Sequence, residues 1–271
     1  MTSNNTTDGF AIAFLFHDNL ELLSATLPRC LQALTAGSRE HPDIILHCDG
    51  TPPDVAAQLP ALADKWGVDE LRLRRRSKQV ASGDGSNNGH QRLMSTTARY
   101  LVVLEDDVVA YRTEVHFDPL SAIRDLFEAH PDVCAISTVA DHANWSWKLR
   151  DLAPALAPGV RSTNRLSTHF IAYDLARFLP AARRFGAFEP DVFIDRDDHS
   201  YNWEDLVSHV ATTGGRRIAF ADGWPIDIFH CDRKVDDGSM YHTQDPVVKA
   251  QVLSELESTY RPDSVNAEVT P

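Results

Sequence analysis

The chain has 271 residues, 43% hydrophobic and 24% charged, enough for one large domain, and a net charge of −13. That charge argues against a nonspecific nucleic-acid binder, which would present a basic surface. No apolar run approaches the length of a membrane span, and the opening residues MTSNNTTDG hold no signal-peptide core. Cys30, Cys48, Cys134 and Cys231 lack CxxC spacing, a usage that fits reduced thiols in a cytoplasmic protein better than a disulfide framework or a zinc site.

In chain order, residues 1–8 read as a disordered lead-in, and 10–16 (FAIAFLF) as a first buried strand. His17, Asp18 and Asn19 form a polar turn at its carboxyl end. Residues 21–36 carry apolar side chains at helical spacing up to Gly37, with Pro28 expected to kink the helix or delay its start. A second strand covers 44–47 and is closed by Cys48, Asp49 and Gly50. A helix over 54–66 stops at Gly67, and 71–75 (LRLRR) reads as a short third strand. This β-α-β-α-β order predicts a parallel sheet with crossover helices. A Gly/Ser/Asp-rich loop follows at 79–85, then a helix near 90–98.

The stretch 100–109, YLVVLEDDVV, organises the rest. Its β-branched and aromatic run reads as a buried central strand, yet it ends in Glu105, Asp106 and Asp107 before the apolar pattern resumes. Buried unpaired charge is expensive, and open α/β sheets bind ligands outside the carboxyl ends of their strands. The cluster is therefore expected to hold a divalent cation on hard oxygen ligands rather than to be a solvated turn. Beyond it, 118–130 reads as helix and 133–137 as strand. The pattern breaks over 141–165, around Trp145, Trp147, Pro154, Pro158 and Gly159. Residues 167–173 read as strand, 174–185 and 203–212 as helices, 217–221 as strand and 226–231 as an apolar segment containing His230. The tail from 261 reads as disordered. The expected whole is a single α/β domain with a mixed, mostly parallel central sheet flanked by helices. Its two halves span 9–110 and 111–260.

Three further places bear on chemistry. Asp49 before Gly50 suits an Asx turn, while an Asp carboxylate at a strand end also suits a hydrogen bond from a pyrimidine N–H. Glu204 and Asp205 open a helix, where the macrodipole favours acids. The upstream acids Asp191, Asp195, Asp197 and Asp198 would raise a neighbour's pKa, as a general base requires. His230 gains interest as a partner for Asp107, since imidazole with carboxylate suits Mn²⁺ as well as Mg²⁺.

Taken in order, these features resemble glycosyltransferases of the GT-A fold, especially the inverting family 2 enzymes, over residues 10–232. The resemblance implies that Asp107 of the Glu105-Asp106-Asp107 motif coordinates Mn²⁺ or Mg²⁺ directly and that Asp106 contacts the donor ribose or metal-bound water. It matches Asn88-Gly89 and Arg92 to an Asn-Gly segment and an Arg before this strand, with Arg92 contacting the donor diphosphate, Glu204-Asp205 to the motif whose Asp is the catalytic base, and His230 to the second metal ligand. It implies a nucleotide diphosphate sugar donor, UDP-sugar favoured by Asp49, and a saccharide or small natural-product acceptor. The loop His17-Asp18-Asn19 lacks the usual Arg or Tyr near the base. Glu204 would orient the acceptor, Trp145, Trp147, Trp203 and Trp224 are candidates for stacking on sugar faces, and 232–242 would close as a lid. Acceptor contacts fall to 141–165 and 186–202. Two rivals are a nucleotidyltransferase, for which the first-strand loop lacks the Gly-rich, cationic signature, and a noncatalytic nucleotide- or carbohydrate-binding module. A metal-dependent hydrolase is disfavoured because no two histidines have HxH or HxxxH spacing.

Overall fold

The computed structural model describes residues 7–74, 89–90, 92–138, 155–163, 166, 168–185, 203–230 and 254. The first strand, β1 (Thr7–Phe16), begins earlier than its apolar run, because the Thr7 amide donates to the Thr97 carbonyl at 2.9 Å and draws Thr7 and Asp8 into the sheet. Helix α1 (Leu20–Thr35) is capped by Asn19, whose side-chain oxygen accepts from the Leu22 amide, and it runs through Pro28 without a delayed start. Strand β2 (Asp43–Asp49) extends past its predicted end to include Asp49. The single helix expected over 54–66 is two short ones, α2 (Pro53–Ala56) and α3 (Leu59–Lys65). Pro60 accounts for the break, since it has no N–H to donate to the Ala56 carbonyl one turn earlier.

Strand β3 (Glu70–Arg74) precedes β4 (Ala98–Glu105). The helix expected over 90–98 is a short turn ending by Leu93, and Ala98 already belongs to β4, in register with Thr7. The apolar residues after the acids form a separate strand, β5 (Val108–Arg112). Helix α4 (Pro119–Ala129) and β6 (Val133–Ser137) follow their sequence pattern. In the stretch read as irregular, β7 (Ala155–Ala157) and β8 (Val160–Thr163) form a hairpin, and Pro158-Gly159 is its turn rather than a break. Then come β9 (Phe170–Asp174), α5 (Leu175–Phe185), α6 (Trp203–Thr213), β10 (Arg217–Phe220) and β11 (Ile226–His230).

The main sheet has nine strands in the order β3-β2-β1-β4-β9-β6-β10-β8-β7, and β5 pairs with β11 in a second, two-stranded sheet. Strands β8 and β9 run against the other strands of the main sheet, so it is mixed and mostly co-directional. Both faces are covered. Phe10, Ile12, Phe14 and Phe16 of β1 pack with Leu23, Leu27 and Leu34 of α1 and Ile123 and Phe127 of α4. Ala11, Ala13 and Leu15 face the other way, in one cluster with Phe178 and Ala182 of α5 and Val207 and Val210 of α6. A strand buried on both faces has no polar alternation, which is why FAIAFLF reads as a continuous apolar run.

The β7–β8 turn meets the β10–β11 connection backbone to backbone. The Gly223 amide donates to the Gly159 carbonyl at 3.0 Å, and a Cβ on Gly159 (φ +67°) would lie 2.7 Å from the Gly223 carbonyl carbon. Gly159→Ala and Gly223→Ala are each expected to lower unfolding free energy by about 1–3 kcal/mol in urea titrations. At Gly37 (φ +73°) a Cβ meets nothing within 4 Å, so Gly37→Ala should bear only the backbone penalty of about 1 kcal/mol.

Asp118 caps α4, accepting from the Leu120, Ser121 and Arg39 amides and the Ser38 hydroxyl. Although partial burial opposes ionisation, the Ser121 and Ser38 hydrogen bonds prevail and hold its pKa below the usual carboxylate value. Its contribution is therefore complete above the unfolded-state value of about 4 and is lost as pH falls through the lower folded value. Asp118→Ala should cost about 1 kcal/mol at neutral pH, with the gap from wild type closing in denaturation curves taken at progressively lower pH.

Candidate active site

The parallel register brings strand ends from separate parts of the sequence to one edge. Glu105 at the end of β4 lies beside Leu15 of β1, Leu15 beside His47 of β2, and His47 beside Arg72 of β3. Asp49 continues β2 along that edge with Arg74 as its neighbour. Just past β1, the His17 amide donates to a carboxylate oxygen of Asp106 at 3.3 Å. The His17 imidazole is largely exposed, 3.7 Å from the Asp18 carboxylate.

At Asp106-Asp107 the chain turns out of the main sheet and enters β5. The antiparallel ladder of the small sheet pairs Val108 with His230, so the backbone of His230 lies across from the residue next to Asp107. Asp107 is 5% exposed, while Glu105 and Asp106 are half-buried. Desolvation by burial, and next the charge of Asp107, push the Asp106 carboxyl well above its usual range, with the His17 amide acting in the opposite sense. A cation is the group that reverses both effects, and paired carboxylates are the donor set that Mg²⁺ and Mn²⁺ accept. The residues present thus fit a divalent ion.

Helix α1 holds this turn. Leu22, Thr26 and Cys30, spaced four apart, form a buried stripe. The Thr26 hydroxyl donates to the Asp106 carbonyl at 2.7 Å, with the Leu22 carbonyl a longer second acceptor at 3.1 Å, and the Cys30 thiol donates to the Val108 carbonyl at 3.3 Å. Burial pushes that thiol up to about 12, so it is a packing and donor group and no nucleophile. Sequence reading passed over Thr26; a hydroxyl on the apolar stripe of α1 was its only signal.

Helix α6 ends at Gly214-Gly215 and feeds β10, which is parallel to β6, so its amino end lies toward the same carboxyl edge. Glu204 and Asp205 occupy its first turn. Asp49, Glu204, Asp205 and His230 are placed here by their backbones. Trp203 is 1% exposed and its indole N–H donates to the Tyr173 hydroxyl at 2.8 Å, so it is a core residue and is withdrawn as a sugar-stacking platform. Trp224 is partly buried and packs tilted against Phe117 at 5.9 Å between centroids. Arg92 is exposed, and its carbonyl accepts from Arg72 at 3.3 Å. Two histidines went unnoticed in the sequence. His169, 6% exposed, directly precedes Phe170, the partner of Leu104, and so adjoins the acid turn. His90 is fully buried and stacks on Trp203. Asn88, the acids Asp191, Asp195, Asp197 and Asp198, Trp145, Trp147 and the stretch 232–242 lie outside the described residues, as do the loops 79–85 and 186–202 and positions 141–154. Among the described residues, no group of three or more His, Cys, Asp or Glu is placed to hold a metal ion.

No protein-family profile matches the chain, and no curated protein does. Solved structures do. The first 349 residues of Staphylococcus aureus TarS in complex with UDP-GlcNAc align at TM-score 0.54 and 12% identity, over 97% of this chain and 76% of that one. Mannosyltransferase PcManGT from Pyrobaculum calidifontis, solved with GDP-Man and Mn²⁺, aligns at TM-score 0.51 and 15% identity, over 90% and 68%. GalNAc-T7 with UDP, GalNAc and Mn²⁺ aligns at TM-score 0.54 and 11% identity, over 97% and 51%. These neighbours are glycosyltransferases, and the likeness at such identity establishes architecture: the chain has the α/β GT-A fold.

Proposed function

We propose that the chain is a metal-dependent, inverting glycosyltransferase that moves a hexosyl group from a nucleotide diphosphate sugar, UDP-sugar favoured, to an acceptor hydroxyl. The observation that carries this reading is the convergence at the β4–β5 turn. Asp106 is tied to the β1 loop, Asp107 is nearly buried, and His230 is paired to the adjoining residue from the far end of the domain. The neighbours' nucleotide sugars and Mn²⁺ support the donor class and the cation, with UDP in two of the three complexes described above and GDP in the other. The buried free thiols Cys30, Cys48 and Cys134 support a reducing, cytoplasmic setting.

In this reading Asp107 and His230 hold the divalent ion, and Asp106 meets the donor ribose or an ion-bound water. Bound there, the cation supplies positive charge to the diphosphate that leaves. Asp49 accepts from the base, and Arg92 adds charge to the diphosphate. Asp205 takes the proton from the acceptor hydroxyl as that oxygen attacks the face opposite the leaving group, while Glu204 orients the acceptor.

Screening nucleotide sugars with Mn²⁺ by thermal shift identifies the donor, because a ligand that binds only the folded state raises its melting temperature. Binding without transfer to any offered acceptor, and without donor hydrolysis, would leave a noncatalytic module instead. Asp205→Asn is expected to lower kcat by about 10²–10⁴-fold with donor affinity retained; near wild-type turnover would take the base role from Asp205. Chelation should stop transfer and added Mn²⁺ or Mg²⁺ restore it, and Asp107→Asn should abolish that restoration. Full turnover in chelator would refute the metal assignment.

A further inference from the structure

One ring contact joins two segments that the proposed chemistry uses separately. His90 lies two residues before Arg92, which is proposed to meet the donor diphosphate; Trp203 directly precedes Glu204-Asp205. Their rings stack at 5.2 Å between centroids and 9° between planes. Both are buried, His90 at 0% and Trp203 at 1% exposure. The indole is fixed a second time through its N–H to Tyr173 in the main sheet, and Tyr173 packs against Phe178 of α5 at 5.1 Å. On the donor side the turn is pressed onto the sheet edge, since a Cβ on Gly89 would come within 2.7 Å of the Leu15 side chain and 3.5 Å of the His47 ring.

From this geometry we infer that His90 is a positioning residue, acting through Trp203 to set the first turn of α6, and that the donor-side turn and the base helix therefore move as one body. The inference rests on the proposed role of Asp205. The ring's shape, not its protons, does the positioning. Both imidazole nitrogens are buried with no hydrogen-bond partner among the described residues, and burial lowers the pKa to about 3, so the ring is neutral throughout the working range. The two unsatisfied buried nitrogens are a liability to stability that phenylalanine, which offers the same flat face for stacking, does not carry. This gives a test with opposite outcomes for two substitutions.

His90→Phe should preserve the stack, retain wild-type kcat and raise the melting temperature. His90→Ala should open a gap beneath the indole, lower kcat by about 10-fold or more and leave the donor KM nearly unchanged, because small displacements of a positioned group are costly to the rate. Independently of turnover, hydrogen exchange of amides 203–207 should accelerate in His90→Ala and stay slow in His90→Phe. If His90→Phe is as damaged in kcat and exchange as His90→Ala, or if His90→Ala merely melts earlier with kcat and 203–207 exchange unchanged, the positioning role is overturned. Wild-type protein that transfers no sugar, yet shows the predicted exchange pattern, would sink the glycosyltransferase reading while the mechanical link stands.

Discussion

Everything at the carboxyl edge depends on holding three acidic residues in a half-buried turn that electrostatics alone would open. Asp106 and Asp107 repel each other, and partial burial weakens the solvent that would otherwise screen them. The opposing forces are local and named. The His17 amide takes one carboxylate oxygen of Asp106, the Thr26 hydroxyl takes its carbonyl, and the Cys30 thiol takes the carbonyl of Val108. Each is a modest bond of roughly 1 kcal/mol net. The Thr26 and Cys30 bonds fix the backbone of the turn from one helix whose other residues are already committed to the core, so little further ordering entropy is lost. These bonds preorganise the backbone of the turn, so a cation binding there would spend little on ordering it.

The same turn is a topological junction. The chain leaves a nine-stranded sheet after Glu105 and joins a two-stranded one at Val108. Because β11 is the only strand paired with β5 among the described residues, whatever holds β11 in place also determines where the His230 backbone lies relative to Asp107. The Gly159–Gly223 contact anchors the loop leading into β11, so a backbone approach on the distal side of the sheet bears on the acid turn.

Much of this was legible in the sequence, for a physical reason. Strands buried on both faces show as unbroken apolar runs, and β1, β4, β6 and β9 were found within a few residues of their ends. Asn19 and Asp118 cap α1 and α4, although the sequence showed the one only as part of a polar turn and the other only as the start of a helical stretch. The misreadings share one cause, the use of local signals for pairing decided elsewhere. Thr7 and Asp8 look like a polar lead-in until Thr97 offers a carbonyl, and Pro158-Gly159 looks like a break until flanking residues pair. The run 100–109 shows its break at the acids, but not that the apolar residues beyond them join a different sheet. Trp203 looked like a sugar platform because tryptophan burial is not encoded in its neighbours. Of the candidate site, the acids and His230 were visible by their placement at strand ends. Thr26, His90 and His169 were not, since their importance arises only from what the fold brings beside them.

The two ends of the sheet divide the work. At the amino edge, away from the acid turn, the wholly buried Asp174 carboxylate is bridged by Arg99 at 3.1 Å and Arg177 at 3.0 Å. Arg177 also reaches the carbonyls of Phe127, His130 and Val133, closing the carboxyl end of α4. Arg124 pairs with Glu40 at 2.8 Å and lies over the rings of Phe10 and Tyr100. There, charge is matched and the aromatic stack Phe10–Tyr100–Phe127 is continuous. At the carboxyl edge, acidic residues are concentrated in one turn. Breaking one partner of a buried ion pair costs several kcal/mol, so the amino edge is where the fold is locked. That separation lets the opposite edge carry repelling carboxylates, because strain from like charges is borne by a sheet already fastened at its other end.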